Sequence, residues 1–290
     1  MNGRRTMQFL SVKAFGDFVI AATSLERVAP ADRAGLSILA ADHLRPLASA
    51  LAPACDITFL GNAEQGVPAL FDVRRAGICA AIGSAIGLRR AVRQVRDPDA
   101  ALILDKDGWR ARWLGFPSGV ETLSPAGNIY AAYDDFLASR GIARAQPVPG
   151  EAASKGDGAI IGLFPGSRVA AKNLPEELVR TVLAAAARSG RCARLFLLEG
   201  ERPDLERSGL PFEGVPRCFE ALIAAIGSVG SVIGADSLPV HLAERAGRRV
   251  FVLSPKENIF WLPRSSLVHD RWALFGAALD IPLARFLDVE

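Results

Sequence analysis

The sequence predicts an α/β protein built as two doubly wound parallel-sheet halves. Three observations carry that expectation. Short apolar runs alternate with longer helical segments through the whole chain, the pattern of strand–helix–strand crossovers and parallel sheets. The alternation halts once, at the proline- and glycine-bearing stretch ARAQPVPGEAASKGDG (143–158), and then restarts. Half of the 290 residues are hydrophobic, ample for two cores and too many for a disordered chain. The boundaries that follow are 1–145 for the first domain, 146–158 for a linker and 159–290 for the second. The last helix is expected to pack back on the first domain.

In order, MQFLSV reads as the opening strand and the segment from about Asp17 to Val28 as a helix. LSILAA is a strand. HLRPLASALA is a helix whose start Pro46 delays, because proline suits only a first turn. CDITFLG is a strand, and ICAAIGSAIGLRRAVRQVR a helix in which Gly83 and Gly87 each cost up to about 1 kcal/mol relative to alanine. DAALILDKDG has the continuous apolar run of a buried strand, and NIYAAYDDFLASRGI is an amphipathic helix stopped by Gly141. Beyond the linker come strand AIIGLFPG, helix PEELVRTVLAAAARSG, strand RLFLLEG, helix FEALIAAIGSV, strand SVIGAD, helix LPVHLAERAG and strand RVFVLSP.

Composition removes several classes of function. The formal charge is only +3, and no Lys/Arg block is interleaved with aromatics, so nucleic acid is not an expected partner. Arg89, Arg90, Arg93 and Arg96 do cluster. They read first as a solvated helix face, with contact to an anionic inner-membrane surface as the alternative. Cys55, Cys79, Cys192 and Cys218 lie far apart with no C-x-x-C pair, which supports neither a zinc site nor a disulfide framework. The apolar run near the N-terminus is interrupted by Lys13 and Asp17, too short for a signal-peptide core, and none reaches membrane-spanning length. A cytoplasmic protein is expected, with peripheral membrane contact left open. G-x-G-x-x-G after the first strand, G-x-S-x-G, the P-loop and H-E-x-x-H are all absent, so no metal or cofactor is expected.

Ligands of open parallel sheets bind outside the carboxyl ends of the strands, which selects the loops KAFGD, LDKDGWR, FPGSRVAAKN, LEGERP, GADSLPVH and SPKEN. In the third, Gly166 allows close backbone approach or a positive φ, while Ser167, Arg168, Lys172 and Asn173 supply donors beside a helix start. That set suits a phosphate or diphosphate; it also fits an ordinary basic loop with Asn173 as a cap. In GADSLPVH, Asp236 and Ser237 open a helix with Pro239 in its first turn, and His241 lies one turn beyond Ser237. Helix amides and the Ser237 hydroxyl would hold an anion and Asp236 a sugar. The competing reading is an N-cap with a satisfied buried histidine. Asp17 shares this ambiguity. It can favour the first turn of its helix, or act as a general base, since a carboxylate with a reference pKa near 4 is ionised at neutral pH. Gly16 before it would allow a tight turn aiming the carboxylate away from the sheet.

Taken together, these loops resemble glycosyltransferase family 9, the bacterial heptosyltransferases of the lipopolysaccharide inner core. VKAFGDFVIAATSLERV is similar to the family's L-G-D turn and helix, and DAALILDKDGWRARWLGFP to its D-L-x-I-D-L-Q-G segment. IGLFPGSRVAAKNLPEE is similar to P-G-(x)n-K-x-W-P-x-E, and VIGADSLPVHLAERAG to D-T-G-x-x-H-L-A-A-A-x-G. The resemblance implies a GT-B fold, two Rossmann-like domains facing across a cleft, with a glycan or glycolipid acceptor on the first and a nucleoside diphosphate sugar, ADP-heptose in the family, on the second. It implies inverting, metal-independent transfer. By position, Asp17 matches the general base, Lys172 the lysine that neutralises the diphosphate, and Asp236 the acid on the nucleotide sugar. Ser237 and the Leu238 amide match the phosphate contacts, and His241 the motif histidine. Gly166, Ser167 and Arg168 join this donor set, while Lys13, Lys106 and Arg110 are the basic residues assigned to the acceptor. Ser237-Leu238 stands where the family has Thr-Gly, which puts a bulky side chain where backbone should meet phosphate. Two further readings stay open: a sugar-nucleotide epimerase of the same architecture, and a non-catalytic nucleotide-sugar-binding homologue.

Overall fold

The computed structural model describes residues 6–62, 64–116, 119–123, 127–142, 144 and 160–288. The chain divides into two compact units, Met1–Gln146 and Pro147–Glu290; the predicted linker 146–158 lies outside the described residues.

The first unit runs β1 (Met7–Ser11), α1 (Phe15–Glu26), α2 (Pro30–Arg33), β2 (Leu36–Ala40), α3 (Arg45–Leu51), β3 (Asp56–Phe59), α4 (Val73–Ala76), α5 (Ile78–Val95), β4 (Ala101–Leu104), α6 (Trp109–Gly115), β5 (Glu121–Thr122) and α7 (Ile129–Ser139). Its five strands are ordered β3-β2-β1-β4-β5 and every pair is parallel. β1 lies in the middle and is buried at all five positions, the reason its sequence does not alternate; its two polar residues, Gln8 and Ser11, are buried with the rest. β3 lies at an edge and alternates between exposed and half-buried. Pro46 occupies the first turn of α3, so that helix starts at Arg45. α1 starts at Phe15, earlier than the sequence reading placed it, and Gly16 is its second residue rather than a tight turn. A straight-chain carboxylate tolerated in the first turn lets the helix begin before Asp17 rather than at it.

The second unit runs β6 (Ile160–Phe164), α8 (Glu176–Arg188), β7 (Cys192–Leu198), α9 (Pro203–Glu206), β8 (Glu213–Val215), α10 (Phe219–Gly227), β9 (Ser231–Ala235), α11 (Leu238–Arg245), β10 (Arg249–Ser254), α12 (Arg264–Val268), β11 (Trp272–Leu274) and α13 (Asp280–Asp288). Its six strands are ordered β11-β10-β9-β6-β7-β8, again all parallel. Leu163, Ile233, Phe251 and Leu253 of the central strands are fully buried, covered by Val179, Val182 and Ala186 of α8. The sequence reading sent the last helix back to the first domain. Its apolar side is instead used within its own unit, where Leu283, Phe286 and Leu287 of α13 join that core and Phe286 meets Phe251 at 5.4 Å between ring centres. Among the described residues no helix is long and apolar enough to cross a membrane.

Each unit has one place where the chain reverses its direction of winding, between β1 and β4 in the first and between β6 and β9 in the second. At such a switch point the loops leaving two adjacent strands part in opposite directions and open a crevice at their carboxyl ends. Gly234 tightens the second one. A Cβ there would stand 3.1 Å from the Phe164 carbonyl oxygen of β6 and 3.1 Å from Val240 Cγ1 of α11. Gly234→Ala is therefore expected to push β6 and α11 from β9 and to cost about 1–3 kcal/mol, read as a lower unfolding midpoint; an unchanged midpoint would mean the packing has slack at this point.

Candidate functional site

In the second unit, the loops leaving β6 and β9 are tied together by their own polar groups. Lys172, in a 3₁₀ turn after β6, places Nζ 2.7 Å from Asp236 Oδ2 and 3.1 Å from the Asp236 carbonyl oxygen. Asp236 is 3% exposed and its Oδ2 also accepts from Asn258 Nδ2 at 2.9 Å. The carboxylate is thus neutralised and solvated by protein, the condition under which a buried charge is tolerated. An ammonium has three donors, and Asp236 engages two of them. Lys172 remains 28% exposed, so its third N–H is available to an anion from solvent.

Ser237 is the N-cap residue of α11 by position, yet no side chain caps the helix. Its hydroxyl reaches across the switch point and donates to the Gly166 carbonyl oxygen at 3.0 Å. The first-turn amides of α11 are left to an external acceptor, and no acidic residue lies in that turn. α8 is different: Glu176 and Glu177 occupy its first turn and already answer its positive end. Of the two helix starts, α11 is the one prepared for an anion. Leu238, its first residue, is half-buried there.

Gly166 has no positive φ; a Cβ there would lie 2.0 Å from the Glu201 carboxylate, the end of a flexible side chain that would have to move aside. Burial raises the Glu201 pKa, with Arg217 and Arg202 opposing. Ser167 is buried and its backbone N–H donates to Asn173 Oδ1 at 2.7 Å, so Asn173 shapes the loop; α8 has Pro175 as its N-cap residue and no side-chain cap. Arg168 is exposed on the same loop. His241, one turn into α11, is buried, which lowers its pKa from 6.5 to about 4; Asp236 opposes the shift and Lys172 adds to it. The imidazole is neutral in the folded protein at neutral pH.

In the first unit, the residues after β1 and β4 form an acidic group at the other switch point. Asp17 stands in the first turn of α1, three residues past the N-cap Ala14. Asp105 follows β4; burial raises its pKa, while the charges of Lys13 and Lys106 hold it down. Tyr133 of α7 is buried and its hydroxyl is pushed well above its ordinary pKa, by burial first and then by the charges of Asp105 and Asp17. Lys13 and Lys106 are exposed beside this group. Arg110 is turned elsewhere: Nε donates to the Leu70 carbonyl oxygen at 3.0 Å and the guanidinium covers the Trp109 ring at 4.8 Å. His43 lies near the end of β1, with Nε2 3.2 Å from the Lys13 carbonyl oxygen.

The structure therefore joins Gly166, Ser167, Lys172, Asp236, Ser237 and His241, and sets Asp17 and Lys13 with Asp105 and Tyr133. Asp105, Tyr133 and Asn258 are not among the residues that sequence reasoning named. Asp105 and Asn258 do fall in LDKDGWR and SPKEN, loops that the strand-end rule had selected. Among the described residues, no three His, Cys, Asp or Glu side chains are grouped to hold a metal ion.

No protein-family model matches this sequence, and no curated protein does. Solved structures do. An Escherichia coli heptosyltransferase, WaaC, with ADP superimposes with a TM-score of 0.65 at 12% identity, covering 98% of this chain and 99% of that one. The fold is that of the family 9 heptosyltransferases. A glycosyl transferase family 9 structure from Veillonella parvula gives 0.61 at 15% identity, over 93% of this chain and 85% of its own. E. coli ADP-heptose lipopolysaccharide heptosyltransferase II gives 0.54 at 14%, over 97% and 96%. At such identities the likeness is one of fold, and the chemistry has to be argued from the residues above.

The neutral buried imidazole has a consequence for stability. The unfolded chain protonates His241 near 6.5 and the folded chain only at about 4, so the unfolded state binds more protons between these values. Its contribution is present above pH 6.5 and is lost as the pH falls through that window. The unfolding midpoint of His241→Gln is expected to fall less steeply between pH 6.5 and 4 than that of the unaltered protein. Parallel profiles would show that His241 takes a proton in the fold as readily as in the unfolded chain.

Proposed function

We propose that this chain is an inverting glycosyltransferase that takes a sugar from a nucleoside diphosphate sugar, without a metal ion, and passes it to a hydroxyl of a lipopolysaccharide-type glycan. The observation that carries the reading is the Lys172–Asp236 pair set beside the uncapped start of α11, at the switch point of the second unit. A departing nucleoside diphosphate develops negative charge. The third Lys172 donor and the first-turn amides of α11 are fixed groups that would meet that charge without reorganising. Asp236, held by Lys172 and Asn258, orients the ammonium. Its carboxylate oxygens are acceptors suited to sugar hydroxyls.

Asp17 is the proposed base. The proton of the acceptor hydroxyl passes to its carboxylate as that oxygen bonds to the anomeric carbon. The bond from that carbon to the diphosphate oxygen breaks, and the electron pair leaves with the diphosphate. The first turn of a helix at a strand end is a rigid mount for such a group, and attack from the side opposite the leaving group gives inversion. ADP-heptose is the proposed donor, in keeping with the ADP and ADP-2-deoxy-2-fluoro heptose named for the E. coli structures of the same fold. One observation favours a second reading, a binding protein without turnover: Leu238 brings a branched side chain to the first position of α11, where phosphate would meet backbone.

Thermal unfolding with excess ADP and transfer assays with ADP-heptose test both. At about 100 times its dissociation constant, ADP should stabilise the protein by about 2.7 kcal/mol, unaffected by EDTA. Lys172→Met should remove most of that shift. Asp17→Asn should keep it while transfer falls by about 10²–10⁴-fold. Transfer by Asp17→Asn at the wild-type rate would make Asp17 a structural residue of α1. An ADP shift without turnover, with turnover gained by Leu238→Gly, would establish the binding-protein reading.

A further inference from the structure

The exposed apolar side chains of this protein are not scattered. Among the described residues, of the eleven large hydrophobic ones that stand exposed, Ile78, Ile82, Ile86, Trp109, Trp113 and Phe116 all belong to α5, α6 and the residue after α6. At 3.6 residues per turn, Ile78, Ile82, Ile86, Arg89 and Arg93 fall within one arc of about 80° on α5. A neighbouring arc of the same helix, centred about 120° round from the stripe and holding Ala81, Leu88, Ala91 and Val92, faces the core of the first unit. α5 is therefore apolar on two sides, and the outer one is 50–71% exposed at its three isoleucines.

The aromatic residues of α6 extend that stripe. Trp113 Nε1 donates to the Ala85 carbonyl oxygen of α5 at 3.3 Å, which fixes the indole beside the isoleucines. The Arg89 guanidinium covers Trp113 at 4.1 Å and Phe116 at 5.0 Å. Trp109, at the start of α6, is 62% exposed. Charge on α5 has one sign, and beside α6 the exposed Asp107 is paired with Arg112. Residues 73–96 hold six arginines and neither aspartate nor glutamate, within a chain whose net charge is only +3. Arg74, Arg75, Arg90 and Arg93 are exposed.

We propose that this face is a docking surface for an anionic lipid bilayer. An isoleucine stripe and indole rings inserted at headgroup depth, rimmed by arginines whose guanidinium groups remain at the phosphate level, match an interface that is apolar inside and negatively charged outside. A folded protein partner would be expected to find acceptors and donors of both signs; this face offers cations and hydrocarbon. Arg89 stacked on two aromatic rings keeps its charge at the boundary while its neighbours enter the bilayer. The surface belongs to the first unit alone and stands whatever the second unit binds.

Flotation of the full chain with phosphatidylglycerol-containing vesicles, against vesicles of phosphatidylcholine alone, tests this. Binding to the anionic vesicles is expected, with a blue shift of tryptophan emission that Trp109→Phe reduces, and with weakening but not loss in high salt. Ile82→Glu and, separately, Arg93→Glu should each weaken binding by about tenfold. Both sites are exposed, so an unchanged unfolding midpoint will show that the fold is kept. Absence of binding to anionic vesicles at low salt overturns the proposal, as does equal binding by Ile82→Glu. A chain that is dimeric in solution and becomes monomeric on Ile82→Glu also overturns it, since a second copy would then be what covers the stripe.

Discussion

The second unit is organised around a charge that could not be buried alone. Asp236 sits at the end of a central strand, almost without access to water, and an isolated carboxylate there would be strongly unfavourable. Lys172 answers it from the loop after β6 and Asn258 from the loop after β10. Three strand-end loops are thereby held to one carboxylate. The Ser237 hydroxyl, drawn to the Gly166 carbonyl, adds a fourth point of attachment and leaves α11 uncapped. His241 is subject to the same field: burial holds it neutral against the pull of Asp236, so the site carries one cation and one anion and not a second cation. A ligand with two negative phosphates entering this crevice would meet an ammonium already positioned. The ordering of the lysine side chain has then been met by folding rather than by binding.

What the sequence made legible follows from how local each cause is. Strands buried on both faces read as apolar runs, and β1, β4, β6, β9 and β10 were all visible that way. Edge strands carry no such signature. Glu121–Thr122 is two residues long and Glu213–Val215 three, and both exist because a neighbouring strand offers unpaired backbone groups. The residues gathered at the β6/β9 switch point were legible as neighbours because the strand-end rule and the motif resemblance point to the same loops. Asn258 was not, because its role lies in a hydrogen bond to a residue 22 positions away. Tyr133 was hidden for a similar reason: on α7 it reads as an aromatic of an amphipathic helix, and only tertiary packing brings it to the charges of Asp105 and Asp17. Asn173 looked like a cap because asparagine before a helix usually is one; here the Ser167 N–H competes for its oxygen and takes it.

Two units of similar topology carry different polar groups at the equivalent place. At the β6/β9 switch point the carboxylate is matched by a lysine at 2.7 Å, and the groups turned to solvent are N–H donors. At the β1/β4 switch point two carboxylates and a phenol share one neighbourhood, and its cations, Lys13 and Lys106, are exposed at the rim. The sheet and its winding dictate only that a crevice exists in each unit; the side chains at the strand ends decide what each can hold. A crevice of fixed donors stabilises charge that departs. A crevice of carboxylates, one of them made harder to ionise by burial, is suited to moving a proton. In the transferase reading, these are the two tasks that the reaction sets.

The apolar stripe on α5 fits neither task, which is the reason to read it separately. Exposed isoleucine at three successive turns is unfavourable in water, and nothing in the fold of the first unit requires it: the core is already filled from a neighbouring arc of the helix. Gly83 and Gly87 weaken the same helix, and Trp113 and Arg89 are committed to holding α6 against it. A surface that costs stability and is nevertheless braced has to be explained by something outside the unit. The arginines of α5, with no acid among them, and the indoles at the margin specify the physical character of that something more closely than the loops around either switch point specify their ligands.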